Sequence, residues 1–199
     1  MEMRKASRGR PRSFDEDAVL DAAMRAFWEH GYEGTSVATL EAATGLKAPS
    51  LYGAFGSKEA LYQSALERYA SEHGAVLRPE GPVREAIAEF LLDAADRFSE
   101  GGLPAGCMIS TAALGVGAAQ RGVATRPARM RAQTLAGIEQ RLRRAVDEGE
   151  LPAETDAGAL ARLVGAVIQG MSVQAIDGAS RADLRALATV AMNAWPTAG

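Results

Sequence analysis

The stretch from Thr35 to Lys58, TSVATLEAATGLKAPSLYGAFGSK, gathers hydroxyls, a phenol and two lysines around a glycine turn. Such groups neutralise phosphates and hydrogen-bond base edges; they do not form a bond-breaking set. Lys47 can approach a guanine edge or a phosphate, Ala48 and Pro49 can touch a thymine methyl, and Ser50 can bond either a base or a phosphate. The amides of a helix starting at Thr35–Ser36 can receive another phosphate. No Arg, Asn or Gln lies between Lys47 and Phe55, so bidentate base reading is scarce and DNA shape is expected to add to specificity. Catalysis has no comparable nucleus. His30 and His73 are the only histidines, both near expected helix ends. There is no zinc-protease motif, no paired cysteine motif, no phosphate-cradling glycine loop and no nucleophile elbow. No catalytic residue, metal or cofactor is expected, so an enzyme is not the reading.

The elements that must position these groups follow from apolar spacing. Leu20, Ala23, Met24, Phe27 and Trp28 form one stripe of an amphipathic helix. Asp15 is its expected N-cap, with Phe14 and Val19 as a hydrophobic staple, and His30-Gly31 its end. Thr35 or Ser36 caps a second helix expected to bury Val37, Leu40 and Ala43. Gly45 stops it, and Leu46 plugs the corner. Pro49 suits only the first turn of the next helix, which turns Leu51 and Phe55 inward. Lys47, Ala48, Ser50, Tyr52 and Gly53 remain on or near the outer side. Ser57 caps a fourth helix through Leu61, Tyr62, Leu66 and Tyr69. Two short helices joined at Gly45 read as a helix-turn-helix, whose second helix enters a DNA major groove.

The run GRPRSFDEDAVLDAAMRAFWEHGYEGTSVATLEAATGLKAPSLYGAFGSKEALYQSAL resembles the N-terminal DNA-binding domain of TetR/AcrR transcriptional regulators. The matching features are the Phe27 to Gly31-Tyr32 corner, Thr35-Ser36, Ala43 with Gly45, Ser50-Leu51-Tyr52, Phe55 and Lys58-Glu59-Leu61. The resemblance implies that Tyr52 and Lys58 bind phosphates and that the remainder is a helical ligand-binding and dimerisation domain. One departure is Ala54, where the family often has histidine; a backbone contact made by that histidine cannot be carried over.

The net charge of −3 over 199 residues is unlike that of a DNA binder, but its distribution is uneven. Arg4, Lys5, Arg8, Arg10 and Arg12 crowd the N-terminus against Glu2 alone. Such an arm either contacts DNA or merely solubilises a terminus; beside a helix-turn-helix, Arg8, Arg10 and Arg12 are expected DNA contacts. The single cysteine, Cys107, excludes an internal disulfide and suits the cytoplasm. No apolar run is expected to reach the roughly 20 residues that span a bilayer, and no signal-peptide pattern opens the chain, so no membrane partner is expected.

From Glu72 to Pro82 the pattern loosens, then resumes with Ile87, Phe90, Leu91, Ala94 and Phe98. A short apolar segment follows Cys107. Gly115 to Pro127 reads as a loop, and a long charged helix carries Met130, Leu135, Ile138, Leu142 and Val146 inward with Arg141, Arg143 and Arg144 outward. The last two helices present Leu160, Val164, Val167, Ile168 and Met171, then Leu184, Leu187, Ala191 and Trp195. Paired across protomers, these make a four-helix interface, where the resemblance also places its dimer contact. The resemblance implies an effector cavity as well, for which the apolar stripes offer Leu66, Tyr69, Phe90, Phe98, Met108, Thr111, Met130 and Gln133. Cys107, at an expected helix start, lines the same region; it reads either as a redox or electrophile sensor or as a small buried hydrophobe.

The expectation is therefore an all-α chain: a basic arm at 1–13, a three-helix helix-turn-helix domain at 14–75, and a helical effector-binding and dimerisation domain at 76–199. Its partners would be double-stranded DNA carrying a palindromic operator, a second copy of itself and a small-molecule effector. The function implied is a repressor released by that effector. The alternative is a helical adaptor that binds a protein and has the helix-turn-helix only by shape.

Overall fold

A computed structural model describes residues 14–117 and 120–196; the arm residues Arg8, Arg10 and Arg12 lie outside the described residues. The described elements are helical: α1 Glu16–Gly34, α2 Val37–Thr44, α3 Ala48–Phe55, α4 Lys58–His73, α5 Val83–Phe98, α6 Met108–Thr111, α7 Arg121–Asp147, α8 Ala157–Ile176 and α9 Arg181–Ala191, then a 3₁₀ turn at Met192–Ala194.

Two apolar clusters organise them. The first joins α1 to α4 through Met24, Phe27, Leu40, Leu51, Leu61, Tyr62 and Tyr69, and it also takes Met108 and Ala112 from the α6 region and Val123 from α7. The second joins α5, α7, α8 and α9 through Ile87, Phe90, Leu91, Leu142, Val164, Met171, Leu184 and Trp195. The four-residue α6 touches α1, α4, α7 and α8, so it is the piece packed between the two halves.

Local chemistry explains most boundaries. The Asp15 carboxylate accepts the amides of Asp17 and Ala18 at the start of α1. Gly31, at φ 68° and ψ 173°, breaks that helix into a kink before its last turn. Ser36, Ser57, Asp156 and Ser180 each accept an amide of their own first turn. Gly45, at φ 70°, takes the left-handed conformation that ends α2.

Several expectations need correction. Val37 is 43% exposed and Ala43 is exposed too, because so short a helix buries a single residue, Leu40. The expected loop from Gly115 to Pro127 is helical from Arg121, with Pro127 buried inside α7. That first part of α7 is held by tertiary contacts: Val123 sits in the first cluster and Arg126 pairs with Glu67 at 2.5 Å. Arg141 faces inward, not outward, donating to the Gly81 carbonyl and pairing with Glu150 at 3.5 Å. By length and composition α8 could cross a bilayer, against the expectation that no segment would. Its apolar residues are accounted for by the second cluster on one side and an exposed face on the other.

Candidate nucleic-acid interface and effector cavity

The corner before α2 is set by Thr35, which is fully buried. Its hydroxyl donates to the Gly31 carbonyl at 2.6 Å and lies 3.2 Å from that of Ala26. The side chain of Thr35 therefore fastens α2 to α1, which leaves the backbone amide, not the hydroxyl, for the phosphate contact expected there. Ser36 is exposed and caps α2 through the Thr39 amide at 3.0 Å.

α3 hangs on the first cluster by Leu51, fully buried, and by the half-buried Phe55. Its outer side presents Lys47, Pro49, Ser50 and Gly53, all exposed, with Ala48 and Tyr52 half-buried at its edges. A Cβ added at Gly53 would meet nothing within 4 Å, so the fold leaves this surface open. Lys58 opens α4, with its ammonium 4.3 Å from the centre of the Tyr32 ring. Burial pushes that ammonium below its usual range, and Glu33 works against the shift. Tyr32 thus holds Lys58 in place, a role not visible from spacing because the two residues belong to α1 and α4. A second unforeseen residue is Glu41, whose carboxylate accepts the Ala48 amide at 2.8 Å and pairs with Lys47 at 3.1 Å.

The chain matches the bacterial regulatory proteins, tetR family, over residues 19–65 and the Tetracyclin repressor-like, C-terminal domain over residues 81–190. It is 39% identical over 197 residues to the HTH-type transcriptional repressor ComR of Escherichia coli K12, covering 96% of this chain and 94% of that one. This chain belongs to the TetR family. Among solved TetR regulators, a cysteine mutant of CifR complexed with 26bp double-strand operator DNA superimposes with a TM-score of 0.90 at 40% identity, covering 94% of this chain and all of that one. A TetR regulator from Chloroflexus aurantiacus gives a TM-score of 0.77 at 25% identity, covering 89% of this chain and 91% of that one.

As TetR-family architecture leads one to look for, a cavity of about 100 Å³ lies between the two clusters. Tyr69, Phe90, Phe98 and Cys107 line it; so do His73, Ile109, Ser110, Arg131, Thr134, Leu135, Gly165, Ile168 and Gln169. The other expected lining residues are elsewhere. Leu66 and Met108 are fully buried in the first cluster, Met130 packs against that cluster, the Thr111 hydroxyl donates to the Cys107 carbonyl, and Gln133 is exposed. The Tyr69 hydroxyl lies against the Cys107 thiol and the Met108 amide, and burial pushes the phenol well above its ordinary range. The Cys107 amide donates to Ser172 Oγ at 2.8 Å. The helix that Cys107 starts is a single turn, which removes most of the dipole behind the sensor reading. An open groove of about 510 Å³, lined by Leu77, Arg78, Ile138 and Arg144, meets this region at Ala75, Phe90 and Thr134.

The expected dimer residues also need sorting. Leu160, Val164, Met171, Leu184 and Trp195 are buried within the chain, in the second cluster, and Val167, Ile168, Leu187 and Ala191 pack partly buried against it. The strongest apolar stripe is thus spent on the protomer's own core. What α8 leaves exposed is Leu163 at 44%, Val173 at 46% and Ile176 at 53%, with Val190 of α9 at 62%.

Proposed function

We infer that this chain is a transcriptional repressor that binds a palindromic operator as a homodimer and is released by a small-molecule effector. The observation that carries the reading is α3 held against the first cluster by Leu51 and Phe55, with Lys47, Pro49, Ser50 and Gly53 outermost and Tyr52 at its edge. Exposed Ser36 and Tyr32-supported Lys58 flank it, so phosphate anchors bracket a base-facing surface. The CifR complex with operator DNA supports the same use of a closely similar chain. No observation favours the adaptor alternative.

On this reading, residues 14–75 contact DNA together with Arg8, Arg10 and Arg12, and residues 76–199 bind the effector and the second copy. The exposed apolar residues of α8 and α9 supply the dimer face. The protein acts in the cytoplasm and catalyses nothing. Coupling runs through α4, which starts at Lys58 on the DNA side and ends at Tyr69 and His73 in the cavity wall. An effector that displaces Tyr69 tilts α4 and alters the spacing of the two α3 helices. Effector and DNA then oppose each other's binding by the same factor.

The test is a selection of randomised duplexes with the purified protein. The account predicts enrichment of a palindrome with half-sites about one helical turn apart or a multiple of it. Recovery of no preferred sequence would defeat it.

A further inference from the structure

The start of α3 is capped from outside. Lys47 occupies the N-cap position, and an ammonium has donors only. Pro49 has no amide hydrogen, while the Ser50 and Leu51 amides both donate to the Lys47 carbonyl. The remaining donor, the Ala48 amide, is taken by one Glu41 oxygen at 2.8 Å, and the other Glu41 oxygen holds the Lys47 ammonium at 3.1 Å. The Glu41 carboxyl lies below its ordinary range chiefly because of the Ala48 amide, then because of Lys47. One carboxylate of α2 therefore closes the α3 terminus and pairs with Lys47, the long cation at its start.

The tether discriminates between acceptors. A phosphate approaching Lys47 brings a second anion against Glu41 and finds no free α3 amide. A guanine O6 or N7 is neutral, and the ammonium can bond it without leaving the carboxylate. We propose that Glu41 is a specificity-determining residue of the DNA interface, restraining Lys47 so that it contributes at guanine-bearing operator positions and little on arbitrary duplex. The proposal rests on the reading of α2 and α3 as the DNA-contacting pair.

Glu41→Gln keeps an acceptor for the Ala48 amide and removes the charge. Wild type, Glu41→Gln and Lys47→Ala are each taken through selection on randomised duplexes. Each is then titrated by fluorescence anisotropy against the wild-type palindrome and a scrambled duplex of equal length. Glu41→Gln is expected to bind the scrambled duplex about fivefold more tightly per half-site. Its salt dependence should steepen by about 0.9 in log–log slope per half-site, and its selected motif should lose guanine preference where Lys47→Ala loses it. Lys47→Ala should change scrambled-duplex affinity less than about twofold, because that charge is already paired. This second variant reports even if Glu41→Gln folds poorly. If Glu41→Gln matches wild type in scrambled affinity, slope and motif, or if Lys47→Ala weakens both duplexes equally, Glu41 has no such role while DNA binding stands. If wild type selects no duplex, the DNA-binding reading fails and this inference falls with it.

Discussion

Replacing Gly31 by alanine strikes the corner where the DNA-binding helices meet α6. Gly31 sits at φ 68° and ψ 173°, a region essentially restricted to glycine, and forcing another residue there costs about 1–3 kcal/mol. The new Cβ would lie 3.2 Å from the Ala112 carbonyl oxygen, which accepts the Tyr32 amide at 2.9 Å. Moving that carbonyl weakens a hydrogen bond with a net worth of about 1 kcal/mol. Alanine restricts the unfolded chain and returns about 0.4–1 kcal/mol. The sum is a loss of about 2 kcal/mol. Urea unfolding followed by circular dichroism, at fixed protomer concentration because dimerisation contributes to stability, reads it directly. Gly34→Ala is the control: its added Cβ would make only an ordinary 3.5 Å contact with His30 Cβ, at a φ outside the left-handed region, so it should be neutral or slightly stabilising. The reasoning is refuted if the two variants are equally stable, or if Gly31→Ala lies within about 0.5 kcal/mol of wild type.

Lys58→Gln should weaken operator and scrambled duplexes by the same factor and reduce the salt slope by about 0.9 per half-site; an altered selected sequence with an unchanged slope would show Lys58 reading bases instead. Val173→Glu, at a 46% exposed site on α8, should halve the mass seen by sedimentation and lower the melting temperature only by what dimerisation contributes. A dimer of undiminished strength would place the interface elsewhere. Asp96 is held at about 2, first by Arg181 and then by Arg185, at 2.8 and 2.7 Å. A carboxyl depressed in the folded state contributes fully above its unfolded value of 3.8 and loses that contribution as pH falls toward 2. Asp96→Asn should therefore cost about 1 kcal/mol at neutral pH and nearly nothing near pH 2, a convergence that denaturation across that window would reveal.

The parts of the fold legible in the sequence are those set within a few residues. Ser36, Gly45, Leu51 and Ser57 act through their own turns, so cap, stop and inward face could be named from type and spacing. α8 was harder because apolar residues cover it all round: periodicity finds the stripe of Leu160, Val164 and Met171, which the protomer's own core absorbs. The face left for another surface shows only in residual exposure at Leu163 and Val173. The start of α7 was hidden by Gly122 and Pro127, since Val123 and Arg126 are fixed by partners far away in the chain. In the cavity the register slipped by one residue, with the exposed Thr134 lining its edge in place of Gln133, because a half-polar helix gives no sharp phase. Glu41 and Tyr32 escaped for a related reason. Each acts on a lysine of a different helix, and the distance between helices is not written in either helix's own pattern.

Entry of α3 into the major groove is read out by methylation interference on a duplex selected by the protein. Methyl groups at guanine N7 lie in the major groove and those at adenine N3 in the minor groove. The account predicts that N7 methylation at a guanine in each half-site blocks binding, and that Lys47→Ala relieves the block at that position. Interference confined to adenine N3, or N7 methylation without effect on the wild-type protein, would contradict it.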